Sequence, residues 1–339
     1  MKIIKKTVLS LIIIAAIIIC SGCSNEIEPV SVDNYYLDTT CNISVYATDE
    51  SQGLDKDVAK QAINAAYKLC AKLEKALSKT IEASDISKLN AAKGSWVTVS
   101  DYTKELLKKG LYYSKKSNGV FDITVGGITE LWDFHAVEPK LPDENKLAEA
   151  AKHVGHNNVK IDGNKVRLLD PKVQVDLGGI AKGYIGDKMA GCLEEKGVTS
   201  AIINLGGNII CVGAKSKSKG FVIGVEAPFS DRTEVVGSVE ASDQTLVTSG
   251  VYERMFEAGG KLYHHILSTE TGWPVESDVN SVTIIAGKGH SADCDALSTT
   301  CLIMGYKKAS ELIDSLNGYE AVFVLKDGSI KSTTDAFVE

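Results

Sequence analysis

Apolar residues change their spacing near residue 160, and that change limits the architectures open to this chain. Before it they recur at helical intervals. Val58, Ala62, Ala65, Ala66, Leu69, Leu73 and Leu77 share one stripe over residues 55–78, the pattern of an amphipathic helix. Residues 102–117 repeat it up to the helix-stopping pair Asn118-Gly119, and residues 147–154 suit a third helix. Beyond residue 160 the apolar residues come in short runs at 166–169, 173–177, 201–205 and 221–225, the length of strands. A helix over 183–196 lies between two of them. Further on, the pattern predicts strands over 281–286 and 321–325, and helices over 292–304, closed by Gly305, and over 309–316. Residues 34–47 alternate like a strand. Helices and strands mixed in this order argue for an α+β fold rather than a doubly wound sheet.

The N-terminus reads as a processing segment. Lys2, Lys5 and Lys6 precede an almost unbroken apolar run over residues 8–19, long enough for a signal sequence and short for a stop-transfer helix. Cys20-Ser21-Gly22-Cys23 follows. Small residues before a cysteine resemble a bacterial lipobox, which predicts cleavage before Cys23, lipidation at Cys23 and a membrane anchor on the outer side of the membrane. The alternatives are an ordinary secretory signal and an uncleaved membrane anchor. Either places the rest of the chain outside the cytoplasm: a tether over 23–32 and a single domain over 33–339.

The 339 residues carry 37 Lys and Arg against 44 Asp and Glu. Loss of the leader takes three lysines and no acid with it, leaving a mature chain near −10. Without a basic run, nucleic acid is not expected as a partner. Six cysteines lie beyond Cys23, none in a CxxC pair and each inside a helical or strand-like stretch. They read as small buried hydrophobes, not as a disulfide framework.

Four segments carry chemistry. Asp176-Leu177-Gly178-Gly179-Ile180-Ala181-Lys182-Gly183-Tyr184 runs from a strand into a helix. Such a turn suits an anion at a helix N-terminus, or it is simply a tight connection. It is neither a Walker loop nor GxGxxG. Asn204-Leu205-Gly206-Gly207-Asn208 looks like a second turn of the same kind. Asp295 and Thr299, four residues apart on a helix, share one face. A carboxylate plus a hydroxyl suits Mg²⁺, although acids here could equally cap the helix. Finally, His264 and His265 are adjacent on a strand-like run, so only one can face a site, and either could be structural.

Together these segments resemble the ApbE family, the FAD:protein FMN transferases. The resemblance runs from about Tyr35 to the C-terminus. It rests on Leu37-Asp38-Thr39; Ser84-Asp85-Ile86-Ser87-Lys88-Leu89-Asn90; Gly119-Val120-Phe121-Asp122-Ile123-Thr124-Val125 leading to Leu131-Trp132-Asp133-Phe134; the Asp176 segment with Asp187; Asn204-Leu205-Gly206-Gly207; Thr248-Ser249-Gly250-Val251-Tyr252-Glu253-Arg254; His264-His265-Ile266; and Asp295-Ala296-Leu297-Ser298-Thr299, in that order. The resemblance implies a large and a smaller lobe with an active-site cleft between them. It implies Mg²⁺ held by Asp295, Thr299 and the carbonyl of Ala181. FAD, as substrate, would be lined by Asn90, Asp122, Lys182, Gly206, Gly207, Thr248, Ser249, Gly250, Glu253 and His265. FMN would pass to a Thr or Ser of an acceptor, with AMP released. His265 is the candidate proton acceptor, and Asp295 the second catalytic residue. Exported or membrane-bound redox proteins are the expected acceptors. With water as acceptor the same residues would make an FAD diphosphatase. Without turnover they would make an FAD-storing lipoprotein, and a solute-binding lipoprotein is a blander alternative. One departure stands out: Ser268-Thr269-Glu270 replaces the family's usual Asp-Pro-Arg/Lys before Thr-Gly.

Overall fold

A computed structural model of the chain describes residues 28–134, 136, 138–230 and 234–339. The expected leader and Cys23 lie outside the described residues. The chain enters through β1 (Val30–Tyr36), turns at Leu37-Asp38 and returns as β2 (Thr39–Ala47). The single strand expected over 34–47 is therefore a hairpin, and β1 takes the last residues assigned to the tether. Both turn residues have positive φ, 56° and 55°, the geometry of a two-residue hairpin turn. A β-rich composition on both sides hides such a turn when neither residue is glycine.

Next come α1 (Lys56–Leu77), capped by Asp55 through Asp57 and Val58 N–H, α2 (Asp85–Ala91), capped by Ser84, β3 (Val97–Thr98) and α3 (Asp101–Lys116), capped by Ser100. Each cap oxygen takes an amide the first helical turn cannot satisfy internally. Then follow α4 (Gly126–Thr129), α5 (Glu144–Ala151), β4 (Val159–Asp162), β5 (Lys165–Leu168), α6 (Ala181–Glu195), β6 (Ser200–Leu205), β7 (Asn208–Val212), β8 (Phe221–Glu226), β9 (Val235–Ala241), β10 (Gln244–Gly250), β11 (Met255–Ala258), β12 (Lys261–His264), β13 (Val279–Gly287), α7 (Ser291–Met304), α8 (Tyr306–Asp314), β14 (Tyr319–Leu325), β15 (Ile330–Ser332) and β16 (Phe337–Val338). The run at 173–177, expected as a strand, makes only a single bridge, Val125 to Gln174.

Among the described residues the main sheet has the order β1-β2-β6-β7-β10-β13-β14-β15, and every pairing in it is antiparallel. Helices α1, α6, α7 and α8 cover one face. The other face is covered by the small sheet β16-β9-β8, with Phe221, Ile223, Val239, Leu246 and Val322 packed between. The architecture is α+β, as the order of elements predicts. Helix α7 lies in the middle, and almost every side chain from Ser291 to Leu302 is buried, the polar ones included. A smaller lobe forms around Ile128, Trp132, Leu147 and Leu267. There Trp132 stacks on Phe134 at 5.3 Å and meets Trp273 edge-on at 5.4 Å, while its Nε1–H donates to the Gly272 carbonyl at 2.8 Å. Cys41, Cys70, Cys211, Cys294 and Cys301 are buried thiols, and Cys192 is half-buried. Burial pushes the Cys70 thiol up to about 12, so it behaves as a small apolar side chain. No described helix is long and apolar enough to cross a membrane.

Candidate active site

Helices α6 and α7 cross at their N-terminal ends, and that crossing builds the site. It requires Gly183: a Cβ there would stand 2.1 Å from the Ser291 carbonyl oxygen. Across it each helix supplies the carboxylate that satisfies the other. Asp187 of α6 accepts from Ser291 N–H at 3.0 Å and Ala292 N–H at 3.1 Å, the first amides of α7. Asp295 of α7 accepts from Gly183 N–H at 2.9 Å, in the first turn of α6. Negative charge at a helix N-terminus is favourable. Burial still dominates for Asp187, whose pKa is pushed up to about 6 against those hydrogen bonds.

Asp295 is 3% exposed. It does not merely open a helix, as the acidic pattern suggests, but sits inside the core between α6 and the sheet. Desolvation raises its pKa, opposed by the nearby Lys182 ammonium and the Gly183 amide. Thr299, one turn along, lies by the glycine pair: a Cβ on Gly179 would stand 3.7 Å from its Oγ1 and 3.0 Å from the Phe121 ring. Ala181 falls between Gly179 and Gly183, so the carboxylate, the hydroxyl and the first residue of α6 converge. Among the described residues no three His, Cys, Asp or Glu side chains group as a metal site. The donor set here is one carboxylate, one hydroxyl and one carbonyl, and that is the kind of partial oxygen shell Mg²⁺ takes when it keeps waters and phosphate oxygens. The buried carboxylate lacks a full counter-charge, which a cation would provide. On these grounds the residues fit the ion.

The two glycine pairs differ. Gly178-Gly179 leads into α6, with Gly178 N–H taken by Asp176 Oδ1 at 2.8 Å. Asp176 is itself braced by Lys79 at 2.9 Å and Thr129 at 2.6 Å. Gly206-Gly207 is instead a β6–β7 hairpin turn with φ of 60° and 95°, closed by Asn204 Oδ1 on Gly207 N–H at 3.2 Å. The expectation of two like strand-to-helix turns fails because the strand after the second pair directly continues the sheet. The hairpin nevertheless reaches the site, since Asn208, the residue after it, faces Asp295.

Of the other expected residues, Lys182 lies near enough to both Asp295 and His265 for its charge to act on each. Ser249 is tied to α7 through Ser298 at 2.7 Å, and Ser298 in turn donates to the Asp295 carbonyl at 2.9 Å. Thr248 is tied to Thr283 on the opposite sheet face at 2.8 Å. Gly250 is covered by the Tyr252 ring, and Glu253 N–H bonds the Gly250 carbonyl at 3.4 Å. Two residues hold backbone. Asn90 pairs both amide groups with Val175, at 2.9 and 2.7 Å, fixing the backbone just before Asp176. Asp122 spends both oxygens inside the protein, on Thr124 at 2.8 and 2.6 Å and on the His156 amide and ring at 2.9 and 3.1 Å.

The histidines separate as strand alternation requires. His264 is buried and its pKa falls to about 4 by desolvation. His265, partly exposed, falls to about 3, by desolvation first and then by the Arg254 and Lys182 charges. Its Nδ1 lies 3.3 Å from the Arg254 carbonyl. A carbonyl only accepts, so Nδ1 carries the proton and the Nε2 lone pair is left as an acceptor. The Ser268-Thr269-Glu270 departure is accommodated. Ser268 Oγ accepts from the Glu270 and Thr271 amides at 3.2 and 3.3 Å, as a turn-starting aspartate would, and Thr269 Oγ1 bonds the Gly119 carbonyl at 2.8 Å.

Sequence reasoning missed Asn208, the role of Asp187 and the Asp176–Lys79–Thr129 brace. A polar residue opening the apolar run Ile209-Ile210 was the one visible signal for Asn208.

The ApbE family model matches residues 37–323. The FAD:protein FMN transferase of Treponema pallidum is 31% identical over 311 residues, 87% of this chain and 84% of that protein. One from Klebsiella pneumoniae is 32% identical over 267 residues, covering 78% and 82% respectively. Among solved structures, the ApbE protein of Thermotoga maritima superposes with a TM-score of 0.80 at 31% identity over 90% of this chain and 97% of that one. The flavinyl transferase ApbE of Pseudomonas stutzeri gives 0.76 at 27% identity, covering 90% and 94%.

Proposed function

Because the chain belongs to the ApbE family, we propose that it transfers FMN from FAD to a Thr or Ser hydroxyl of an acceptor protein, releasing AMP, with Mg²⁺ as cofactor. The observation that carries this reading is the convergence of buried Asp295, Thr299 and Ala181 at the α6 N-terminus beside Lys182. These residues would hold Mg²⁺, which when bound supplies positive charge against the pyrophosphate. Lys182 adds a second positive charge at the same place. Phosphoryl-type transfer asks for positioning and charge neutralisation more than for covalent chemistry, and this site offers both.

The acceptor oxygen bonds the phosphorus on the riboflavin side. The bond from that phosphorus to the bridging oxygen breaks, and the oxygen leaves with AMP. Nε2 of His265 takes the hydroxyl proton, which ends on the departing phosphate. Arg254, through its carbonyl, keeps the ring in the tautomer this requires. Asp295→Ala tests the assignment: AMP release from FAD should fall at least ~100-fold. Wild-type turnover with Mg²⁺ would overturn it.

The lipobox-like Gly22-Cys23 supports a lipid anchor at Cys23 and a place on the outer side of the membrane. The acceptors are then exported or membrane-bound redox proteins, where a covalent phosphoester keeps flavin from diffusing away.

A further inference from the structure

Asn208 is a polar residue that the protein's own contacts do not explain. It is 0% exposed, yet neither its carboxamide oxygen nor its nitrogen completes a hydrogen bond within the protein. A buried carboxamide with both ends unmet costs stability that an apolar residue of similar volume would not. The strand it opens runs on as Ile209-Ile210, so an aliphatic side chain suits the setting. Its amide stands by the Asp295 carboxylate, short of a well-formed bond.

The other donor to that carboxylate is the Gly183 amide. A single donor leaves a carboxylate free to turn about its bond. Carboxylates that ligate metals are held by hydrogen bonds from neighbours, and loss of such a neighbour typically weakens metal binding ~10–100-fold.

We propose that Asn208 is a positioning residue of the cation site, its carboxamide N–H closing on Asp295 and holding that carboxylate turned towards Ala181 and Thr299. This rests on the Mg²⁺ reading above. It also accounts for the hairpin: two glycines with positive φ bring the start of β7 under the α6–α7 crossing.

The test is Mg²⁺ binding to the protein without FAD, by titration calorimetry, alongside its melting temperature. Asn208→Leu should weaken Mg²⁺ binding ~10-fold or more while the metal-free protein melts at or above the wild-type temperature, because the unmet polar atoms are gone. A merely structural asparagine would give the reverse, a lower melting temperature with unchanged Mg²⁺ affinity, and that result overturns the proposal. Should leucine not fit, Asn208→Ala must still weaken Mg²⁺ binding, and unchanged affinity there overturns it equally. Asp295→Ala separates the two levels. If it abolishes Mg²⁺ binding and Asn208→Leu does not alter it, only the role of Asn208 falls. If neither alters it, the cation site falls as well.

Discussion

At the scale of single residues, function here depends on charges held where water would otherwise pay their cost. Asp295 accepts one helix amide and lies near the Lys182 charge, and His265 is kept neutral by desolvation and by two positive neighbours. Asp295→Asn should preserve the fold, since an amide oxygen still accepts from Gly183, while removing Mg²⁺-dependent turnover. Circular dichroism melting together with AMP release checks both halves. Alanine at the same position is a harsher probe, because a buried amide left without a partner costs about 1–3 kcal/mol. His265→Ala should lower the transfer rate ~10²–10⁴-fold with FAD binding reduced less, and a split measurement of kcat and KM reads this. The i, i+4 pair of Asp295 and Thr299 was legible in the sequence because helix geometry alone puts them together. Asn90 and Asp122 were legible as members of motifs. That their polar atoms are taken up by Val175 and His156 depends on chain segments 85 and 34 residues away, which no local pattern reports.

The elements matter through one crossing. Helices α6 and α7 meet with almost no room at Gly183 and cap each other through Asp187 and Asp295. Gly183→Ala forces a Cβ into the Ser291 carbonyl, a backbone atom that cannot swing aside. It should destabilise the protein by about 1–3 kcal/mol or more, readable as a lower denaturant midpoint, and it should weaken Mg²⁺ binding as Asp295 is displaced. A melt indistinguishable from wild type would mean that the crossing is looser than described. Most helices were readable from their stripes, and α1 matches residues 55–78 almost to the cap. The sheet was harder. The β6–β7 and β1–β2 hairpins escaped notice because antiparallel strands joined by two residues leave no loop to mark them. The run at 173–177 has strand-like residues but no partner strand to pair with, and strand identity is decided by pairing as much as by composition.

For the whole molecule, acid should act through the buried His264. His264 binds protons with a pKa near 6.5 when exposed and about 4 in the fold, so the unfolded chain takes up protons first. Stability therefore falls as pH drops from about 6.5 towards 4, by on the order of 2–3 kcal/mol for this group. Asp187, raised from 3.8 to about 6, runs the other way: its share is lost as pH rises between those values. His264→Asn should flatten the acid limb of stability against pH, and an unchanged limb would assign it elsewhere. In cells, Cys23→Ala should shift the protein out of the membrane fraction or leave it unprocessed, because the lipid is the proposed anchor. Fractionation identical to wild type would end that proposal. The central claim, covalent transfer of FMN, is tested most directly by incubating the domain from residue 28 onward with FAD, Mg²⁺ and an exported redox protein bearing an accessible Thr or Ser, then weighing the acceptor under denaturing conditions. The account predicts an acceptor heavier by one FMN less one water, with one AMP released for each, and neither product when Asp295 is replaced. FAD split into FMN and AMP with every tested acceptor unmodified would contradict it.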